Sequence, residues 1–334
     1  MPRTFSVVDM HTGGEPLRIV TAGYPPLPAG TILEKRAHVR TRHDALRRML
    51  MFEPRGHADM YGALLVEPEL PEADLAVLFM HNEGYSTMCG HAIIALGRYA
   101  LDHGLVTPRA PVTPVAIECP CGLVRAEVSV EDGRAGTVAF DSVPAFLFAR
   151  DSTLEVPGYG KVTFDIAYGG AFYAIAEAGR FGLAFGRERP AAFVAAAAAL
   201  TEAVKAAIPL SHPDHDDLAF LYGSILTDGE AGGPDRALKN ICVFADRQVD
   251  RSPTGSGVTA RLAAMHARGL VAPGERRVFE SVVGSTFTGA VARTTTAGDR
   301  PAIVARIAGK AHYCGRAELV VEDDDPLGGG FLVR

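Results

Sequence analysis

Two stretches of this chain read alike, in the same order and with matching sequels. Residues 9–14 are Asp-Met-His-Thr-Gly-Gly, and residues 165–170 are Asp-Ile-Ala-Tyr-Gly-Gly. Each follows a β-like run (Phe5-Ser6-Val7-Val8 and Val162-Thr163-Phe164) and each precedes another, at 17–20 and 172–175. Strand, Gly-Gly turn and strand describe a hairpin. A second matched feature comes later in each half: Cys89-Gly90-His91 starts 80 residues after Asp9, and Thr254-Gly255-Ser256 starts 89 residues after Asp165. Both open a helical segment, 92–101 before Gly104 and 258–266 before Gly269. Glycine is a common helix stop. The first helix is apolar nearly all round, which predicts burial. Shared order and near-equal spacing imply a duplicated unit. The expected fold is α/β (α+β): two pseudo-symmetric domains, each with a sheet wrapped around one central helix.

The length of 334 residues suits two domains, and 48% hydrophobic with 22% charged residues is the balance of a globular protein. We expect residues 1–133 with 318–334 to form the lobe carrying Cys89, and 134–317 the lobe carrying Thr254. Around this frame, 110–126 reads as the tail of the first unit, 138–147 as a crossing strand, 190–208 as an Ala-rich surface helix and 229–234 as a loop. The net charge is -6 with no long basic run. That argues against nucleic acid or an anionic membrane as partner, since phosphate binding needs clustered Lys and Arg. The longest apolar run, 191–199, falls short of a membrane span, and the N-terminus has no apolar signal core. A cytoplasmic location is expected. Five cysteines, Cys89, Cys119, Cys121, Cys242 and Cys314, make an odd count that suggests no disulfide framework. Cys119-Pro120-Cys121 lacks both the Cys-x-x-Cys spacing and a second pair for zinc.

The chemistry concentrates at the two helix starts. A helix N-terminus presents unpaired N–H groups and a positive dipole end, so it binds carboxylates and favours a thiolate placed there. Cys89 has that position, Gly90 lets a ligand approach the backbone closely, and His91 offers a hydrogen bond beside the thiol. Such a thiolate serves as a nucleophile or as a base for proton abstraction; a buried cysteine without a role is the plain alternative. In the second half, Asp250-Arg251-Ser252-Pro253-Thr254-Gly255-Ser256-Gly257 puts a hydroxyl where the first has a thiol. Two such helix starts facing one another would share a substrate carboxylate and flank its α-carbon. Asp250 supplies a charge suited to a substrate ammonium, or else caps a turn. Phe172, beside Gly169-Gly170, either packs on a substrate ring or belongs to the core.

Met88-Cys89-Gly90-His91 and the segment from Asp250 to Gly257 resemble the two signature motifs of the proline racemase family. Asp9-Met10-His11-Thr12-Gly13-Gly14-Glu15-Pro16, Gly169-Gly170-Ala171-Phe172-Tyr173, and the final Asp324-Asp325-Pro326-Leu327 with Gly330-Phe331 resemble it as well. The resemblance implies the diaminopimelate epimerase-like fold, an active site in the cleft between the lobes, no metal and no cofactor. Racemases and 4-hydroxyproline epimerases of the family carry cysteine at both helix starts, whereas this chain has Thr254 at the second. That pattern resembles the trans-3-hydroxy-L-proline dehydratases of the family.

Threonine changes the reaction expected. A hydroxyl that hardly ionises near neutral pH is a poor partner for returning a proton on the opposite face. A C3 hydroxyl on the substrate resolves the α-carbanion by leaving as water. The sequence therefore favours dehydration, with Cys89 and Thr254 catalytic and Gly90, His91, Asp250, Gly255, Ser256 and Phe172 binding a cyclic amino acid. Racemisation of proline or epimerisation of 4-hydroxyproline is the alternative, and a non-catalytic amino-acid binding protein stands behind both. A homodimer is compatible with the sequence. Gly255-Ser256-Gly257-Val258-Thr259-Ala260 fits the start of a dinucleotide fingerprint, but no strand feeds the turn directly and no βαβ unit follows. His212, Asp214, His215, Asp216 and Asp217 read as a solvated loop rather than a metal cluster.

Overall fold

The computed structural model describes residues 2–333, except His215, Glu230, Ala231, Gly233, Pro234 and Asp235 and the side chain of Asp217. The loop expected at 229–234 and two members of the His212–Asp217 cluster therefore fall partly outside the described residues. The chain divides into two compact units, Met1–Phe140 with Lys310–Arg334, and Asp141–Gly309.

The first unit opens with an antiparallel hairpin, β1 (Arg3–Thr12) and β2 (Glu15–Ala22), turning at Gly13-Gly14 with Thr12 opposite Glu15. Two helices follow, α1 (Ile32–Arg42) and α2 (Asp44–Met51). Thr31 caps α1 in a capping box with Glu34, satisfying two otherwise orphaned N–H groups. Then come β3 (Tyr61–Val66), β4 (Leu75–His81), β5 (Gly84–Ser86), the central helix α3 (Gly90–Asp102), β6 (Val112–Cys119), β7 (Gly122–Glu131) and β8 (Arg134–Asp141). β3 runs parallel to β2 and antiparallel to β4, and β4 is also parallel to β6.

The second unit repeats this strand for strand. After β9 (Phe146–Val156) come the hairpin β10 (Gly160–Tyr168) and β11 (Phe172–Glu177), helix α4 (Pro190–Ala207), β12 (Leu221–Thr227), β13 (Leu238–Phe244) and β14 (Gln248–Asp250). The central helix α5 (Gly255–Ala267) leads to β15 (Arg276–Glu280), β16 (Thr286–Ala297) and β17 (Arg300–Gly309). β12 is parallel to β11 and antiparallel to β13, and β13 is parallel to β15, the same signs as in the first unit. The last strand, β18 (Ala311–Val321), returns to pair with β1 along Arg3–Thr12, as β9 pairs with β10. The fold is thus the two-domain α+β architecture expected. The contact boundary lies at Phe140/Asp141 and Gly309/Lys310 rather than at 133/134 and 317/318. β8 is zipped antiparallel to β7 and β18 to β1, so both strands extend the first unit. The stretch 138–147 is not one strand: β8 ends at Asp141, and β9 begins at Phe146.

Each central helix is engulfed. On α3 only Arg98 and Asp102 escape burial, and its Gly97 meets Val138 so closely that a Cβ would lie 2.9 Å from a valine methyl. The helix α4 is long and apolar enough to cross a membrane by composition, longer than the run that suggested otherwise. Its Phe193, Ala196, Ala197, Leu200 and Val204 face packs on the core of the second unit while the opposite face is exposed, so it is a surface helix docked by one apolar face.

The repeated hairpin turn seats each helix start. In the first unit the Thr12 hydroxyl donates to the carbonyl of His91 at 2.8 Å. In the second, Gly169 lies against the first turns of α5, and a Cβ there would stand 2.2 Å from the Ser256 carbonyl oxygen and 2.4 Å from the Ala260 nitrogen. The aspartate that opens each repeat is clamped by a two-pronged arginine, Asp9 by Arg18 and Asp165 by Arg268. Gly169→Ala drives a methyl into helix backbone that has no room to yield, and should destabilise the chain by about 1–3 kcal/mol. A denaturant midpoint unchanged from wild type would contradict this contact.

Candidate active site

Cys89 is the N-cap of α3, with extended backbone and only 6% of its surface exposed. Its Sγ lies 3.0 Å from Nδ1 of His91, which is itself buried. The ring of Tyr61 meets His91 edge-on at 4.9 Å between centroids, and its hydroxyl bonds to Ser86. The first bond of the helix runs from Ile93 N–H to the Cys89 carbonyl, so the Gly90 N–H ahead of it has no acceptor within the helix. The local result is a thiol, an imidazole and a helix N-terminus in contact.

Thr254 is the N-cap of α5 and is strained. Its φ is +67°, a region that a β-branched side chain rarely enters. Its Oγ1 is buried, the residue being only 5% exposed, and has no hydrogen-bond partner among the described residues. A relay of short turns holds it there: Asp250 Oδ1 accepts from Ser252 N–H at 2.7 Å, and Ser252 Oγ accepts from Thr254 N–H at 3.1 Å. Gly257 leaves space for the threonine methyl, 3.0 Å from where a Cβ would sit. The first helical bond runs from Val258 N–H to the Thr254 carbonyl, which leaves the N–H groups of Gly255 and Ser256 without acceptors in the helix. Strain and an orphaned buried hydroxyl cluster at functional positions, because the rest of the fold must hold them against their own cost.

The structure thus puts Cys89, Gly90 and His91 together in one unit and Asp250, Thr254, Gly255 and Ser256 together in the other. Asp250 does cap a turn, as the plain reading of it had it, through one carboxylate oxygen. Phe172 is fully buried among Phe146, Phe148, Tyr168 and His212, so it is a core residue and is not retained as a ring contact. His212 serves this aromatic cluster, and no group of three potential metal ligands occurs among the described residues. Tyr173 was missed. It is fully buried on β11, and its hydroxyl hydrogen-bonds to Ser256 Oγ at 2.7 Å. Burial pushes the phenol well above its ordinary range, so it stays protonated. The signal available in the sequence was its place three residues after the second Gly-Gly turn.

Comparison with known proteins fits this fold and this pair of helix starts. The model of the family described as proline racemase matches residues 7–332, and the chain belongs to that family. A Xenopus tropicalis protein named trans-L-3-hydroxyproline dehydratase is 58% identical over 331 residues, covering 98% of this chain and 95% of that one. A Burkholderia cenocepacia protein named trans-3-hydroxy-L-proline dehydratase is 47% identical over 333 residues, 99% of each chain. The crystal structure of a hydroxyproline epimerase from Agrobacterium vitis with bound trans-4-hydroxy-L-proline superposes with a TM-score of 0.90 at 30% identity, over 99% of this chain and 96% of that one.

Tyr61, which meets His91 edge-on, also stacks with His81 at the end of β4, 5.9 Å between ring centroids. Burial, with Arg47 and Arg36 nearby, lowers the pKa of His81 from 6.5 to about 4. Its Nδ1 accepts from Glu83 N–H at 3.1 Å, a bond that only the unprotonated nitrogen makes. The folded chain therefore refuses a proton that the unfolded chain takes up below pH 6.5. Stability from this residue is complete above pH 6.5 and is lost as the pH falls towards 4, up to about 3 kcal/mol. Unfolding free energies of wild type and His81→Gln should converge over that window; parallel pH profiles would contradict it.

Proposed function

We propose that this chain is a hydro-lyase that converts trans-3-hydroxy-L-proline to Δ1-pyrroline-2-carboxylate without a cofactor. The observation that carries the reading is the unequal pair of helix caps: a thiol in contact with an imidazole at Cys89, and an unpartnered hydroxyl at Thr254. The names of the 58% and 47% identical relatives support the same substrate.

In the proposed mechanism the Cys89 thiolate, favoured by the α3 N-terminus, takes the α-proton. The C–H pair flows into the carboxylate as an enediolate, which free backbone N–H donors of the kind that Gly90 and His91 present at a helix start stabilise. Donors preorganised in this way are often worth about 3 kcal/mol each. The pair then returns to form the Cα–C3 double bond as the C3–O bond breaks. In the trans isomer the hydroxyl and the α-hydrogen share a ring face. Cys89 therefore returns the proton it took to the departing hydroxyl, which leaves as water. The enamine tautomerises to the cyclic imine. His91 is the candidate hydrogen-bond partner of the ring nitrogen, Asp250 a candidate counter-charge for an ammonium, and Thr254 a hydrogen-bonding group that does not exchange a proton. Tyr173 positions Ser256 through its hydroxyl.

Epimerisation requires a second acid–base on the opposite face, which a threonine hydroxyl does not supply near neutral pH. Two substitutions test this. Cys89→Ser should lower dehydration at least about 10³-fold, since the hydroxyl is a far weaker base; near-normal turnover in that variant would sink the assignment. Thr254→Cys restores a thiol to the second cap and should acquire α-proton exchange or epimerisation of trans-4-hydroxy-L-proline, read as deuterium incorporation. A Thr254→Cys protein that binds this amino acid yet never exchanges its α-proton would count against the assigned role of Thr254.

A further inference from the structure

The second unit contains a buried arginine that the proposed dehydration does not use. Arg261 lies two turns into α5 with 4% of its surface exposed. Aligning the helix starts Gly90 and Gly255 puts Leu96 at the matching place in α3, and aligning the β4–β6 and β13–β15 pairs puts Val77 where Asn240 stands. Two buried apolar residues of the first unit are thus replaced by Asn240 and Arg261, joined by a hydrogen bond from Nη1 to Oδ1 at 2.9 Å. The guanidinium also lies over the Phe279 ring at 5.0 Å. No described carboxylate forms an ion pair with it; the nearest acidic influence, Asp228, acts from further away. Burial lowers its pKa to about 10, which leaves it fully charged at neutral pH. A buried charge with one neutral acceptor is costly to keep, and such charges are normally paired.

The missing partner has a place. Arg261 lines a cavity of about 250 Å³ whose apolar wall includes Ile175, Ala264, Met265 and Leu270. The other charges around it are already matched: Arg268 to Asp151 and Asp165, and Arg180 to Glu177. We propose that this cavity binds a small monocarboxylate, with the carboxylate on Arg261 and the carbon skeleton on the apolar wall. Arg268 spans two of the cavity's three carboxylates and Arg180 takes the third, so of the three arginines Arg261 alone is left to take a ligand carboxylate. The three carboxylates of Asp151, Asp165 and Glu177 at the same cavity disfavour a doubly charged anion. The volume admits a short aliphatic or small cyclic acid.

The test titrates the intact protein with propionate and follows the methyl NMR signals of Met265, Leu270 and Ile175, which report this cavity alone. Saturable shifts are expected in wild type, with sulfate binding at least about tenfold more weakly. In Arg261→Leu, which copies the first unit, propionate affinity should fall about tenfold or more, the loss of a charge-assisted hydrogen bond. If that variant does not fold, Arg261→Lys keeps the charge without the planar fork and should bind severalfold more weakly. The absence of saturable shifts in wild type, equal binding of sulfate, or unchanged propionate affinity in the folded variant would overturn the proposal.

Discussion

Both halves of this molecule depend on seating a hairpin turn against the start of a buried helix. A helix N-terminus is useful to a ligand only if its free N–H groups are held still and kept from other acceptors. The chain solves this twice with the same hairpin. Thr12 grips the carbonyl of His91 in one unit, while Gly169 presses on the backbone of Ser256 and Ala260 in the other. The arginine clamps on Asp9 and Asp165 fix the strands that carry those turns.

Because the two units repeat one plan, the places where they differ carry the specific chemistry. A thiol caps α3 and a hydroxyl caps α5. The cap at Thr254 is held with positive φ and an unpartnered buried hydroxyl, neither of which a merely structural turn would need. His91 stands beside Cys89, whereas Ser256 at the matching place is tethered to Tyr173. The exchange of Leu96 for Arg261 is a third departure, set deeper in the fold. At Thr254 and Arg261 the common scaffold tolerates a residue whose local energetics are unfavourable.

Much of this was legible in the sequence because duplication is a long-range signal that needs no register. The two Gly-Gly turns and the two helix starts located both central helices, and the structure adds that even the parallel pairings β2–β3 and β11–β12 correspond. Domain boundaries were less legible, since whether β8 and β18 join the first unit depends on pairing partners remote in sequence. Phe172 illustrates the limit at the site. An aromatic after a Gly-Gly turn looks the same in sequence whether it faces a ligand or four other aromatic rings. Tyr173, one residue on, points the other way along the strand and reaches Ser256, an alternation that only the register of β11 reveals. The strain at Thr254 and the solitary Arg261 are three-dimensional facts with no sequence signature beyond the broken repeat.

The most direct test of the account is proton NMR in deuterium oxide, with wild-type protein given trans-3-hydroxy-L-proline and, separately, trans-4-hydroxy-L-proline. A single base at Cys89 with threonine opposite in role predicts loss of water and appearance of the cyclic imine from the 3-hydroxy compound, and no inversion of the 4-hydroxy compound. Inversion of trans-4-hydroxy-L-proline, with trans-3-hydroxy-L-proline left intact, would contradict it.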